Sequence, residues 1–231
     1  MTITIQPEVF YIIAITACLC VFCVMCSKAI KKMDYLEKPT GLGHIAVMIV
    51  EMIDNMVAEN TNKNKSVTLA PYIGCLAMYL LVSNLIGLLG LTQPTGNYSV
   101  TLALAVISII LREKENITTN GVKNYLHQFI EPFFPFIIPN IFGKIGPLIS
   151  MSLRLFGNIL SGTIIMTMVY AFGSWLSSLV PFIGQFNFIG PIIAPVLHAY
   201  FDVFSGFIQM FIFITLTQVY IGNELPIEEN K

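Results

Sequence analysis

The sequence predicts an all-α integral membrane protein with about five membrane helices and one amphipathic helix lying on a membrane surface. Of its 231 residues, 55% are hydrophobic and only 11% charged, against about 25% charged in an ordinary soluble domain. Mean hydropathy is +0.77. The apolar residues come in runs long enough to cross a bilayer, and Lys and Arg collect in the short segments between them. The net charge of −1 and the lack of a basic tract argue against nucleic acid as a partner.

Residues 9–27 form the first expected crossing, closed by Lys28, Lys31 and Lys32 with Lys38 beyond. The positive-inside rule places that end in the cytoplasm. No basic region precedes the run and no small-residue cleavage site follows it, so it reads as a retained helix. Cys18, Cys20, Cys23 and Cys26 crowd this run in a spacing that superficially resembles a metal site. On a lipid-facing helix they point in several directions, and they read as small apolar side chains. Cys75 has no visible partner.

Across residues 41–60, Ile45, Met48, Ile49, Met52, Ile53, Met56 and Val57 recur at helical spacing, opposite Glu51, Asp54 and Glu59. This pattern predicts an amphipathic helix on the cytoplasmic membrane surface or on a partner. A helical hairpin over 70–111 follows, turning at residues 93–97 and returning to the cytoplasm at Arg112, Glu113 and Lys114. Asn97, Ser99 and Thr101 stand at the edge of that turn, polar enough to lead water inward from the outer side. Residues 116–124 read as a polar link. From 125 to 147 the prolines at 132, 135, 139 and 147 predict a broken, partly interfacial segment, because each internal Pro removes a backbone hydrogen bond. The helix that follows, extending to about residue 180, is too long for a perpendicular crossing and implies strong tilt. The turn at 181–195 leads into a last helix over about 194–221. The tail from Asn223 is acidic and solvated. Counting the crossings puts the N-terminus outside and the C-terminus in the cytoplasm.

Two polar features interrupt this apolar chain. Arg154 lies inside an apolar segment, at a cost of roughly 2.5–3.5 kcal/mol at the bilayer centre by insertion scales. Arg keeps its proton in a protein, so it needs a partner or water. On a helix, Ser150, Asn158 and Ser161 share its stripe, and Gly157 with Ser161 gives a small-xxx-small spacing. An Arg near a helix end that snorkels to the headgroups is the alternative. On the last helix, His198, Asp202, Ser205 and Gln209 fall within about 60° at 100° per residue. Singly, His198 could mark the interface and Gln209 an interhelical hydrogen bond; together the four suggest a water-lined path. The chain carries no phosphate-binding loop, paired Cys or His at metal spacing, or nucleophile elbow. No cofactor, metal or nucleotide is expected on it.

Ser152-Leu-Arg-Leu-Phe-Gly-Asn158, together with Gly206-Phe-Ile-Gln209 and the run to Tyr220, closely resembles subunit a of bacterial F-type ATP synthases. The loop from Pro94-Thr95 to Thr101 and the surface helix near Glu51 to Val57 fit the same family. The resemblance implies an ion-conducting stator subunit in the plasma membrane, beside a rotating ring of c subunits, with the subunit b stalk and the remaining ATP synthase subunits as partners. In that family the arginine faces the ring carboxylates and separates two offset half-channels; the matching residue is Arg154. A permanent cation favours ionisation of a passing carboxylate, so the ion must leave to one half-channel and be replaced from the other. By the same resemblance, Asn158 and Gln209 lie near Arg154 at the ring interface, and Asp202 with its stripe lines the outer half-channel.

The chain departs from the family at three places. Thr163 stands where many members carry Glu, Asp202 where others carry His, and Asn97 where the loop usually has Asp. Asp202 with His198 is then the expected proton relay. A path with fewer titrating groups would also suit Na⁺, so the ion stays open between the two. A transporter acting alone and a membrane scaffold are the other readings; the first would be expected to show an internal repeat, and none is visible.

Overall fold

The computed structural model describes residues 7–31, 41–61, 63–179 and 189–225. Lys32, Lys38, most of the turn expected at 181–195 and the last part of the acidic tail lie outside them. Seven α-helices are described: α1 (Pro7–Lys31), α2 (Leu42–Asn60), α3 (Lys63–Leu85), α4 (Tyr98–His127), α5 (Ile137–Ser178), α6 (Ile189–His198) and α7 (Gly206–Gly222). Between α6 and α7, Ala199–Ser205 is π-helical. No strand occurs among the described residues.

Four helical stretches are long and apolar enough to cross a membrane: Val9–Lys31, Val67–Leu89, Phe134–Ser178 and Ile192–Gly222. The further crossing expected at 100–111 is the apolar first half of α4, which packs along α5. The core is built from α2, α3, α4, α5 and α7, where Val57, Ile73, Leu80, Ala105, Met151, Leu155, Phe213 and Ile221 interlock. In lipid such packing is held by van der Waals contact and interhelical hydrogen bonds, since apolar burial alone gains little against lipid tails. Tyr72 and Ser108 share a hydroxyl contact of 3.1 Å between α3 and α4. Asn60 at the end of α2 donates to Gln218 Oε1 on α7 at 3.0 Å. Helix α1 is peripheral, and Cys18, Cys20, Cys23 and Cys75 are exposed free thiols.

Helix boundaries differ from the sequence expectation in two places. The polar stretch 116–124 is not a link: α4 continues through it, interrupted only where Gly121 takes φ 74 and ψ 155. A positive φ of that kind costs Gly nothing and most other residues a good deal. The proline-rich stretch is irregular only as far as the short 3₁₀ turn Phe134–Phe136, and α5 then runs unbroken from Ile137 through Pro147. Pro139 is tolerated because it lies in the first turn, whose N–H groups have no helical partner. Asn140 closes the irregular turn, its Nδ2 donating to the carbonyls of Gln128, Phe129 and Glu131 at 3.2, 3.1 and 2.8 Å. At 1.5 Å per residue α5 is about 63 Å long, twice the hydrocarbon thickness of about 30 Å. It cannot stand perpendicular within a bilayer.

Candidate functional site: an open polar cavity beside an exposed arginine

The loop between α3 and α4, the middle of α5 and the π-helical stretch enclose an open cavity of about 450 Å³. Its polar lining includes Asn84, Gln93, Asn158, Thr163, Tyr170, His198 and Asp202. Local sequence places each of these. Helix α3 gives way after Leu85 to a 3₁₀ turn, and Pro94 opens a second one that carries the loop back over the cavity. A π-helix closes its hydrogen bonds at i→i+5 and turns less per residue than an α-helix, a feature common at functional sites. Along α6 and the π-helical stretch, His198 and Asp202 face this space, while Phe201 packs against Gly162 of α5.

His198 Nδ1 and Asp202 Oδ2 are 2.6 Å apart, with the His198 side chain 39% exposed and that of Asp202 18%. With Nδ1 engaged, Nε2 is the ring nitrogen left to exchange a proton with water. One turn further along, Ser205 donates from α7's leading edge to Asn158 Oδ1 on α5 at 2.6 Å. That bond ties the two polar stripes together at the inner edge of the cavity. Arg154 lies one helical turn beyond Asn158, about 6 Å along the axis. It is exposed, and its Nη2 makes a 3.4 Å hydrogen bond to Ser150 Oγ on its own helix. Among the described residues no carboxylate pairs with it.

The remaining sequence-derived residues fall differently. Ser161 is exposed and donates to the Asn158 carbonyl at 3.0 Å. Gln209 is only 6% exposed and its Nε2 has no hydrogen-bond partner among the described residues. The stripe expected at a constant 100° per residue is therefore not straight: His198 and Asp202 reach the cavity, Ser205 reaches α5, and Gln209 turns into the core. Of the loop residues, Asn97 caps α4 by accepting from the Ser99 N–H at 3.0 Å, and Thr101 is fully buried with its hydroxyl on the Tyr98 carbonyl at 3.0 Å. Ser99 is exposed. None of the three lines the cavity; Gln93 and Gly96 do so from the same loop. Sequence reasoning passed over Asn84, which has one polar neighbour, Ser83, in an otherwise apolar run, a weak signal that could have drawn attention to it.

A second polar cluster occupies the opposite end of the bundle. Arg112 on α4 is 5% exposed. It donates to Glu113 Oε1 through Nε at 3.0 Å and also through Nη2, and its Nε lies 3.7 Å from Glu224 Oε1. Lys144 from α5 reaches Glu113 Oε2 at 3.4 Å and stands 4.2 Å from the ring centre of Tyr125. Burial pushes the Glu113 carboxyl upward, but Arg112 and Lys144 outweigh it and hold Glu113 below the usual carboxylate value. For Glu224 burial wins over the same two cations, and its carboxyl is raised.

The architecture is that of a multi-pass α-helical membrane protein with a polar cavity let into its side. The sequence profile of the ATP synthase A chain family matches residues 9–222. ATP synthase subunit a from Staphylococcus aureus strains JH9, Newman and JH1 is 28% identical over 215 residues, covering 89% of this chain and 84% of each relative. The chain belongs to the ATP synthase A chain family and is a component of the ATP synthase complex, serving ATP synthesis and ion transport in a membrane.

Proposed function

We propose that this chain is the ion-conducting stator subunit of a bacterial ATP synthase. It would pass protons by two offset half-channels to and from the carboxylates of a rotating c-ring, with subunit b among its partners. The observation that carries this reading is the pairing of an exposed Arg154, with no carboxylate partner among the described residues, with a cavity that ends one turn away and holds a His198–Asp202 pair. An arginine with no acid of its own is free to meet carboxylates brought by another subunit. Its fixed charge makes protonation of a facing carboxylate unfavourable, so the proton leaves before the site passes and returns from the other side. Each elementary charge moved gains about 2.3 kcal/mol per 100 mV, which makes a direct leak past the arginine costly to the coupled machine.

In this reading the cavity is the outer half-channel. Water brings a proton to His198 Nε2, the pair with Asp202 holds it, and the Asn158–Ser205 bond marks where the path approaches the ring. The N-terminus lies outside and the C-terminus in the cytoplasm of a bacterial plasma membrane, and the chain binds no nucleotide. A second reading keeps the complex and changes the ion to Na⁺. It is favoured by the cavity lining, in which Asp202 is the sole carboxylate among the described residues and, His198 apart, the other polar groups are hydroxyls and amides.

ATP-driven ion uptake into inverted membrane vesicles distinguishes the two, with acidification and Na⁺ accumulation recorded with and without a protonophore. Acidification that the protonophore abolishes supports the proton path. Na⁺ uptake that persists or rises with protonophore changes the ion and keeps the architecture. Neither signal from an assembled complex would overturn the conducting role.

A further inference from the structure

Asn84, at the last turn of α3, is 3% exposed and commits both polar atoms of its side chain and its backbone carbonyl to two other parts of the chain. Its Nδ2 donates to the Gly206 carbonyl at 3.0 Å, where the π-helical stretch passes into α7. Its Oδ1 accepts from the Thr95 hydroxyl at 3.2 Å, and Thr95 is fully buried. Its own carbonyl accepts from Gln93 Nε2 at 2.8 Å. That last bond is possible because hydrogen bonding after Leu85 changes to the 3₁₀ pattern, in which amides pair three residues back instead of four.

Two glycines make room for this arrangement. A Cβ at Gly206 would come 3.0 Å from the Asn84 Cβ, and one at Gly87 would come 2.1 Å from Gln93 Nε2. The wall of the cavity formed by the α3–α4 loop is thus fastened, through one amide, to the helix that carries Asp202 four residues earlier. Asn84 and Gln93 both line the cavity that they hold open.

We infer that Asn84 is a positioning residue for ion uptake: it clasps the α3–α4 loop to Gly206, fixing the distance between the loop wall and the His198–Asp202 pair. The inference rests on the reading of this cavity as an ion path. It assigns Asn84 no proton and no direct part in transfer. What the clasp controls is how readily an ion on the loop side reaches Asp202; the maximal turning rate, set where Arg154 meets its partner, lies outside its reach.

The test is ATP synthesis by the assembled complex in liposomes, driven by an imposed gradient of the ion identified above, with its concentration on the loop side varied. All rates are taken per assembled complex. Asn84→Ala is expected to raise the concentration needed for half-maximal rate about tenfold, the scale of one lost buried hydrogen bond, at unchanged maximal rate. Thr95→Val, which keeps shape and removes only the hydroxyl, should move it in the same direction, and Thr95→Ser should restore it; this pair decides the matter if Asn84→Ala fails to assemble. Asp202→Asn is run beside them. If it raises the half-maximal concentration while Asn84→Ala and Thr95→Val leave it unchanged, or lower only the amount of complex, the positioning inference fails alone. If Asp202→Asn leaves the concentration dependence unchanged, the ion-path reading fails with it.

Discussion

Two arginines sit in apolar helices of this protein, and their surroundings are opposite. Arg112 is buried between Glu113 and Glu224, with Lys144 completing a network that joins α4, α5 and the end of α7. Arg154 is exposed on α5 and, among the described residues, its side chain reaches Ser150 and no acid. A buried cation whose donors are taken up by two acids has its charge compensated inside the chain, and it holds helices together. A cation left open on the surface of an apolar helix carries a desolvation cost that no carboxylate among the described residues offsets. Under the proposed function the offset comes from another subunit, one that brings carboxylates to this face.

Removing each arginine sharpens that contrast. Arg154→Ala should leave the complex assembled and lower ATP-driven ion transport by at least about a hundredfold, the scale of losing a preorganised charge where charge changes. Transport near the wild-type rate would sink the ring-facing role. Arg112→Ala should do the reverse. It leaves Glu224 without Arg112 and Glu113 with Lys144 as its remaining cation, at a cost of about 1–3 kcal/mol, so less complex accumulates, while each complex that does assemble transports normally. Immunoblotting of membranes against transport per complex separates the two outcomes. Equal effects of the two changes on rate per complex would erase the distinction.

The same contrast explains what was legible in the sequence. Arg154 stands out because its stripe is short and its flanks apolar, and the helical hairpin around it follows from run length alone. Arg112 reads instead as the charged end of a crossing, since Glu113 and Lys114 follow it directly. Only the fold reveals that α4 carries on past these charges and buries Asn116, whose amide bonds Gln128 Oε1 at 3.1 Å. Pattern reasoning equates polar with solvent, and a polar network satisfied by distant residues defeats it. Pro147 misleads for a related reason: a proline costs one helical hydrogen bond, and in a 42-residue helix packed along its length that loss is absorbed. The π-helical turns break the constant 100° spacing, and they separate Gln209 from the stripe to which that spacing assigns it.

Within the Arg112 cluster the two acids should respond oppositely to pH. Glu113 has a lowered carboxyl pKa, so its contribution to stability is complete above the ordinary carboxylate value and is lost as pH falls through the lowered one. Glu224 has a raised pKa, so its contribution is present below the ordinary value and is lost as pH rises through the raised one. At pH 7, Glu113→Gln is expected to cost about 1–3 kcal/mol and Glu224→Gln less than about 1 kcal/mol. Thermal melting of the detergent-solubilised protein at pH 7 and at acid pH measures both. The Glu113 deficit should shrink as the solution is acidified. A larger loss at Glu224 than at Glu113 would mean that Arg112 is held mainly from α7.

The smallest effect is expected at Thr163, which lines the cavity on α5. Its hydroxyl donates to the Ile159 carbonyl of its own helix at 2.9 Å, and so it is already satisfied locally. Across the same cavity stands the His198–Asp202 pair. If the acid has moved from α5 to the π-helical stretch, Thr163→Ala should change ion transport by no more than about twofold, as for an exposed substitution away from the working groups. Thr163→Glu would then place a second carboxylate opposite Asp202, and like charges sharing a cavity disfavour each other's ionisation. A severe loss in Thr163→Ala would show instead that a hydroxyl on α5 carries the ion, and that Asp202 serves the fold of the π-helical turns.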